Sequence, residues 1–295
     1  MSRRRISAVV AALALGGAVP VLLPAAPASA AACSSYPSWV AGRPYATGDI
    51  VRYTDGKAYI AEHDNPGYDP TISTWYWEPY ACDGGSTPVG NFVVSEAQFN
   101  QMFPGRNAFY TYSGLTAALG AYPGFATTGS DTVKKQEAAA FLANVSHETG
   151  GLVYVVEQNT ANYPTYCDWN QPYGCPAGQA AYYGRGPIQL SWNFNYKAAG
   201  DALGIDLLNN PWLVQNDAAV AWKTALWYWN TQSGPGTMTP HNAMVNGAGF
   251  GQTIRSINGS LECDGKNPAQ VQSRVSKYQQ FAQILGVSPG GNLYC

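Results

Sequence analysis

The sequence predicts a mainly α-helical domain preceded by a small all-β module. Three observations point there. Residues 91–295 carry three strong helical patterns with start and stop signals, and no βαβ alternation or internal repeat. Residues 31–83 instead hold short β-prone runs and many aromatic rings, 3 Trp and 7 Tyr in 53 residues. Six cysteines, all beyond residue 30, offer the cross-links that a unit of that size needs.

Composition narrows the function. With 46% hydrophobic residues in 295, the chain has ample material for a core, which excludes disorder over most of its length. Charged residues make up 12%, and 16 Lys plus Arg against 18 Asp plus Glu give a net charge of −2, so no polybasic surface exists to hold nucleic acid. The aromatic share is 13%, with 20 Tyr and 9 Trp, a surplus that suits neutral, ring-shaped ligands such as sugars.

Residues 1–30 read as an export signal: Arg3, Arg4 and Arg5, an apolar run over 6–23, and the small-residue cleavage site Ala28-Ser29-Ala30. Removal leaves 13 basic and 18 acidic residues, a net charge of −5. No later apolar run is long enough to span a membrane. The expected product is secreted, extracellular and soluble. In an oxidising compartment the six cysteines are expected to form three disulfides. Many connectivities are open, and nearest-neighbour pairing joins Cys33 to Cys82, Cys167 to Cys175, and Cys263 to Cys295. A structural zinc site is disfavoured because no C-x-x-C pair occurs and the histidines are only His63, His147 and His241.

Within 31–83, residues 49–53 and 57–61 read as two strands joined at Thr54-Asp55-Gly56, a β-hairpin signal. A Cys33–Cys82 bridge would close this module end to end. Residues 84–90 form a linker containing Gly84-Gly85-Ser86-Thr87-Pro88. Trp39, the run Tyr45-Ala46-Thr47-Gly48-Asp49-Ile50-Val51, then Lys57-Ala58-Tyr59 and a later Trp resemble the small chitin-binding modules of family 5/12. Such modules hold polysaccharide on exposed rings, and Trp75-Tyr76-Trp77 is the densest cluster available. On a strand, Trp75 and Trp77 would share one face and Tyr76 the other.

In the larger unit, helices are expected over 132–146, behind caps Ser130 and Asp131 and before Gly150-Gly151, over 218–229, and over 268–285, which starts at a proline and stops at Gly286. The first ends in His147-Glu148-Thr149-Gly150-Gly151. Phe141, Val145 and Glu148 fall at i, i+4 and i+7, which aims Glu148 along the apolar face, where burial disfavours its charged form. The helix C terminus should push its pKa further up, as a proton donor requires. His147-Glu148 also begins the zinc-protease pattern H-E-x-x-H, but Gly151 stands where the second His is needed. Nine residues on, after the β-prone run 152–156, lies Glu157, a second carboxylate. Two carboxylates flanking one bond are what glycoside hydrolysis uses. Residues 182–196, Tyr-Tyr-Gly-Arg-Gly-Pro-Ile-Gln-Leu-Ser-Trp-Asn-Phe-Asn-Tyr, add amides, hydroxyls and rings suited to a glycan cleft.

Together these motifs, with Phe109-Tyr110-Thr111, Tyr122-Pro123-Gly124-Phe125, residues 221–229 and Ile257-Asn258-Gly259-Ser260-Leu261-Glu262-Cys263, resemble glycoside hydrolase family 19, the chitinases, across 91–295. The resemblance implies a lysozyme-like, mostly helical fold with two lobes around a long cleft. It implies an inverting endo-chitinase acting on chitin and N-acetylglucosamine oligomers, with Glu148 as general acid, Glu157 as general base and Ser191 holding the attacking water. Tyr182, Gln189, Asn195 and Asn258 are implied to line the substrate path, and Glu262 with Arg274 to form a charged network touching the acid; His147, beside the acid, is expected either to orient it or to line the cleft as a substrate contact. An arginine between two carboxylates would make their titrations interdependent. Neither metal nor organic cofactor is expected, and the protein is expected to be a monomer.

Departures from the plant pattern are the lack of a cysteine before Phe109, Trp192 in place of a usual His, and Phe194 in place of a usual Tyr. Shorter spacing between motifs implies fewer loops and subsites at the cleft ends. Two other functions compete: a peptidoglycan hydrolase on the same fold, and a non-catalytic chitin-binding protein. The chitin-binding-like module opposes the first, and the presence of Glu148, Glu157 and Ser191 opposes the second.

Overall fold

The structure, a computed structural model, describes residues 36–54, 57–73, 75–80 and 92–295. The export signal, Cys33, Cys82, the 84–90 linker and the Asp55-Gly56 turn expected from the sequence lie outside the described residues.

Residues 36–80 build a three-stranded antiparallel sheet of β1 (Ile50–Arg52), β2 (Ala58–Ala61) and β3 (Trp77–Tyr80), in that order. The two expected strands pair in the register Val51 opposite Tyr59. Alternation sends Val51, Tyr59, Ala61 and Trp77 into one small core, with Tyr45 meeting Trp77 edge-on at 5.0 Å. This packing corrects the expectation for Trp77. It is 1% exposed and its indole donates to the Tyr68 carbonyl at 2.7 Å, so it is core and not binding surface. The strand begins at Trp77, and Trp75 and Tyr76 precede it in a turn, which breaks the expected face-sharing of the two tryptophans. Trp75 stays 51% exposed and stacks on His63, while Tyr76 stacks on exposed Tyr68.

The helical unit comprises α1 (Glu96–Met102), α2 (Tyr112–Ala118), α3 (Asp131–Glu148), α4 (Asn193–Leu203), α5 (Leu213–Asn216), α6 (Ala218–Thr231), α7 (Pro240–Val245), α8 (Phe250–Glu262) and α9 (Pro268–Ile284). The three expected helices are α3, α6 and α9. Ser130 caps α3 by accepting from the Val133 amide, and Gly150 and Gly151, at φ of 63° and 86°, turn the chain away at its other end. The helix interior, from Glu137 to Ser146, is buried on all sides, as a central helix must be. Small residues Ala138, Ala139, Ala140 and Ala143 let neighbours approach, and α9 packs along it. Phe141 sits against Trp222 and Trp229 of α6 and against Phe125.

One buried charge ties this core together. Glu137 accepts from the Trp229 indole at 3.0 Å, the His241 ring at 2.6 Å and the Ala126 amide at 2.9 Å, joining α3, α6, α7 and the 122–128 turn. Such satisfaction is what a buried carboxylate requires. Disulfides Cys167–Cys175 and Cys263–Cys295 are formed as nearest-neighbour pairing expects. Residues 152–156 do not form the expected strand. They run as turns with a single bridge from Val156 to Arg185, because Gly150 and Gly151 redirect the chain and, among the described residues, no partner strand lies beside it.

Candidate active site

A cleft of about 520 Å³ gathers Glu148, Glu157, Gln189, Ser191, Asn195 and Asn258, together with Tyr166, Trp192, Tyr228 and Leu261. Six expected residues, drawn from the end of α3, the 157 and 184–191 loops, α4 and α8, thus meet in one place.

Glu148 is the last residue of α3. Its surroundings are more charged than the apolar face expected for it. Arg274 of α9, whose side chain is 1% exposed, donates through Nη2 to Glu148 Oε1 and, at 2.7 Å, to Glu262 Oε1; its Nε donates to Glu262 Oε2 at 2.8 Å. Asn144, one turn back on α3, accepts from Arg274 Nη1 at 3.1 Å. Asn258 Nδ2 completes the set by donating to Glu262 Oε1 at 2.7 Å. Burial alone would raise the Glu262 carboxyl, but the bonds and charge of Arg274, helped by Asn258, outweigh it and hold that carboxyl below its usual value. Both Glu262 and Arg274 are buried, and they form the expected charged network against the acid end of α3. What they touch is the carboxylate of Glu148.

Glu157 is held from the other side. Its Oε1 accepts from Asn162 at 2.9 Å and from the Tyr166 hydroxyl at 3.0 Å, while the Tyr163 hydroxyl donates to its backbone carbonyl at 2.9 Å. Burial, reinforced by the bond to Glu157, pushes the Tyr166 hydroxyl up to about 12, so it remains a donor at any working pH. These three residues share the seven-residue 3-10 segment Thr160–Tyr166. Nothing in their spacing announced them; the adjacent Cys167, which anchors that segment through its disulfide, was the available signal.

The wall between the carboxylates is the 184–196 run. Gln189 donates to the Gly186 carbonyl at 3.0 Å, and Asn195 donates to the Ser191 carbonyl at 2.9 Å. Gln189 and Trp192 both adopt positive φ, 52° and 75°, outside the comfortable range of side-chain-bearing residues. Trp192 stacks on Phe194 with ring centroids 5.5 Å apart and meets Tyr166 edge-on at 5.6 Å. Two of the three departures from the plant pattern therefore form one aromatic pair, with Trp192 in the cleft lining.

Tyr182 is placed elsewhere. It is 0% exposed, its hydroxyl donating to the Leu208 carbonyl at 2.9 Å and accepting from the Ala177 amide, so it is a core residue and not a substrate contact. His147 lines a second, more open hollow of about 500 Å³ on the far side of Glu148, where its ring nitrogens meet Gln270 and Ser273.

Comparison with known proteins agrees with this geometry. Residues 93–295 match the glycoside hydrolase 19 family, described as Chitinase class I. Endochitinase A of Zea mays is 47% identical over 211 residues, which cover 69% of this chain and 71% of that protein. The crystal structure of a bacterial family 19 chitinase is 85% identical and covers 69% of this chain and all of that one, with a TM-score of 0.69. Chitinase C from Streptomyces griseus HUT6037 is 79% identical, covering 70% of this chain and 99% of that one, again at a TM-score of 0.69. Sequence, fold and the two carboxylates in one cleft converge, and the chain belongs to the family 19 chitinases of the glycoside hydrolases.

Proposed function

We propose that this chitinase is a secreted endo-acting enzyme that cleaves β-1,4 links between N-acetylglucosamine units with inversion at the anomeric carbon. The observation that carries the reading is the presence of Glu148 and Glu157 in one cleft, in two different settings. Glu148 is the general acid and donates its proton to the glycosidic oxygen as the bond to C1 breaks. Glu157 is the general base and takes a proton from the water that attacks C1 from the opposite face. Ser191, in the lining of the same cleft, holds that water. Gln189, Asn195 and Asn258 supply amides for hydroxyl and N-acetyl groups. His147, in the hollow beyond Glu148, extends the path for the sugar chain.

Arg274 is shared between the two carboxylates, and Glu262 takes two of its bonds. Two disulfides and the lack, among the described residues, of a helix long and apolar enough to cross a membrane accord with export. The 36–80 module, with Trp75 exposed on a turn, serves as a chitin-binding unit that raises the local concentration of polymer near the cleft.

The test is hydrolysis of soluble N-acetylglucosamine oligomers by the wild type and by Glu148→Gln, with the anomer of fresh product read by NMR. Release of α-anomer by the wild type and a nearly inactive variant support the reading. Initial release of β-anomer overturns inversion. Clearing of bacterial cell walls without oligomer cleavage transfers the assignment to a peptidoglycan hydrolase.

A further inference from the structure

Arg185 is a buried cation of the helical unit that the mechanism above leaves without a task. It is 0% exposed. Its partners are neutral: Nε donates to Gln215 Oε1 at 2.7 Å, and Nη1 to the Ala181 carbonyl at 2.7 Å, the Tyr196 hydroxyl at 2.7 Å and the Tyr183 carbonyl at 3.3 Å. Among the described residues no carboxylate pairs with it, and Nη2 has no hydrogen-bond partner. Burying a cation in this way is costly unless something else meets the charge.

That something is an aromatic face. The guanidinium carbon lies 3.6 Å above the Tyr183 ring centroid, a cation–π contact. Tyr183 in turn stacks on Tyr163 with centroids 3.6 Å apart and planes within 10°. The Tyr183 hydroxyl donates to the same Gln215 oxygen that Arg185 uses, which fixes the ring's rotation in its plane. At the end of the stack, the Tyr163 hydroxyl donates to the Glu157 carbonyl. The backbone repeats the connection. Gly184 accepts from the Glu157 amide at 2.8 Å, and Arg185 exchanges backbone bonds with Leu190 at 3.1 and 2.9 Å. The segment bearing Glu157 is thereby tied to the loop bearing Ser191.

We infer that Arg185 is a positioning residue for Glu157: the flat guanidinium locks Tyr183, Tyr183 locks Tyr163, and Tyr163 holds the Glu157 backbone from which the carboxylate projects. The inference rests on the reading of Glu157 as general base. A base must be in hydrogen-bond reach of the water it activates, and small displacements cost much of the rate. Planarity is essential to the stack, so a lysine, whose charge is a point on a flexible stem, should not replace the arginine.

The experiment compares Glu157→Gln, Tyr163→Phe and Arg185→Lys in the full chain on soluble N-acetylglucosamine oligomers, measuring kcat and KM at a temperature well below each thermal midpoint. Tyr163→Phe keeps the stacked ring and loses only the bond to Glu157. Its kcat should fall on the order of tenfold, with KM within about twofold and an unchanged midpoint, and Arg185→Lys should lose at least as much kcat. A purely structural role lowers the midpoint and leaves kcat of the folded enzyme intact. Wild-type kcat in Tyr163→Phe overturns the inference even where Arg185→Lys does not fold, and so does a loss expressed in KM. If Glu157→Gln itself keeps full activity, the base assignment fails instead, and this outcome is distinct because it does not depend on the tyrosine variant.

Discussion

Glu148 and Arg274 meet at the C-terminal end of α3 although 126 residues separate them in the chain. The same guanidinium binds Glu262, so one cation from α9 orders two carboxylates from two other helices. Because the folded-state carboxyl of Glu262 lies below its ordinary value, its stabilising contribution is complete above the unfolded value of about 4.3 and declines as pH falls through the lower folded-state value. Thermal midpoints should therefore drop between about pH 5 and about pH 3, and drop less steeply for Glu262→Gln. Equal slopes would show that the Glu262–Arg274 pair contributes no pH-dependent stability.

Removing the cation has a larger effect. Arg274→Ala leaves Glu262 buried without its partner, and a loss of about 3 kcal/mol or more is expected in denaturant unfolding. Arg274→Ala with Glu262→Gln should recover part of that stability, because the stranded charge is gone, without recovering activity.

Tyr166 supplies one of two side-chain bonds to Glu157 Oε1, the other coming from Asn162. A hydrogen bond to a charged group contributes about 1.5 to 3 kcal/mol, so Tyr166→Phe should lower kcat on the order of tenfold or more on oligomers. Steady-state kinetics with a circular dichroism check on folding decide it.

The two tryptophans near β3 should separate cleanly. Trp75→Ala removes an exposed ring and is expected to weaken adsorption to insoluble chitin while leaving oligomer hydrolysis unchanged. Trp77→Ala empties the small core and should destabilise the module by about 3 kcal/mol or more. Adsorption equal to wild type in Trp75→Ala would remove that ring from the binding surface.

The Cys263–Cys295 bridge spans 32 positions and fastens the end of α8, next to Glu262, to the 291–295 segment. Its loss through Cys263→Ser with Cys295→Ser should cost about 2 to 4 kcal/mol. The eight-residue Cys167–Cys175 link closes a smaller loop, and its removal should cost less.

Helices with marked ends were readable in advance. Ser130, the Gly150-Gly151 pair and Pro268 are local signals, and α3 and α9 follow them within a residue or two. The two carboxylates and the 184–196 wall were readable because their residue types are chemically specific. Tyr182 was misplaced because an aromatic beside a cleft motif looks the same in sequence whether its hydroxyl meets a sugar or the Leu208 carbonyl. Trp77 failed for a related reason: alternation tells which residues share a face, but the strand starts two residues too late for Trp75 to belong to it. Tyr163 and Tyr166 were hard to read because they act through a 3-10 segment tied to Arg185, which is not local, and the adjacent Cys167 was the one nearby signal.

Gln189 and Trp192 hold their side chains in the cleft wall from backbone geometry that glycine would adopt without strain, Trp192 at φ 75° and ψ 133°. Each such position stores on the order of 1 to 3 kcal/mol. Gln189→Gly or Trp192→Gly would relieve that strain but delete the amide bonded to the Gly186 carbonyl and the ring packed on Phe194 and Tyr166, so each relief is set against a lost contact in the cleft wall. Thermal improvement of this enzyme for industrial use would have to hold both positions fixed and seek its gains elsewhere.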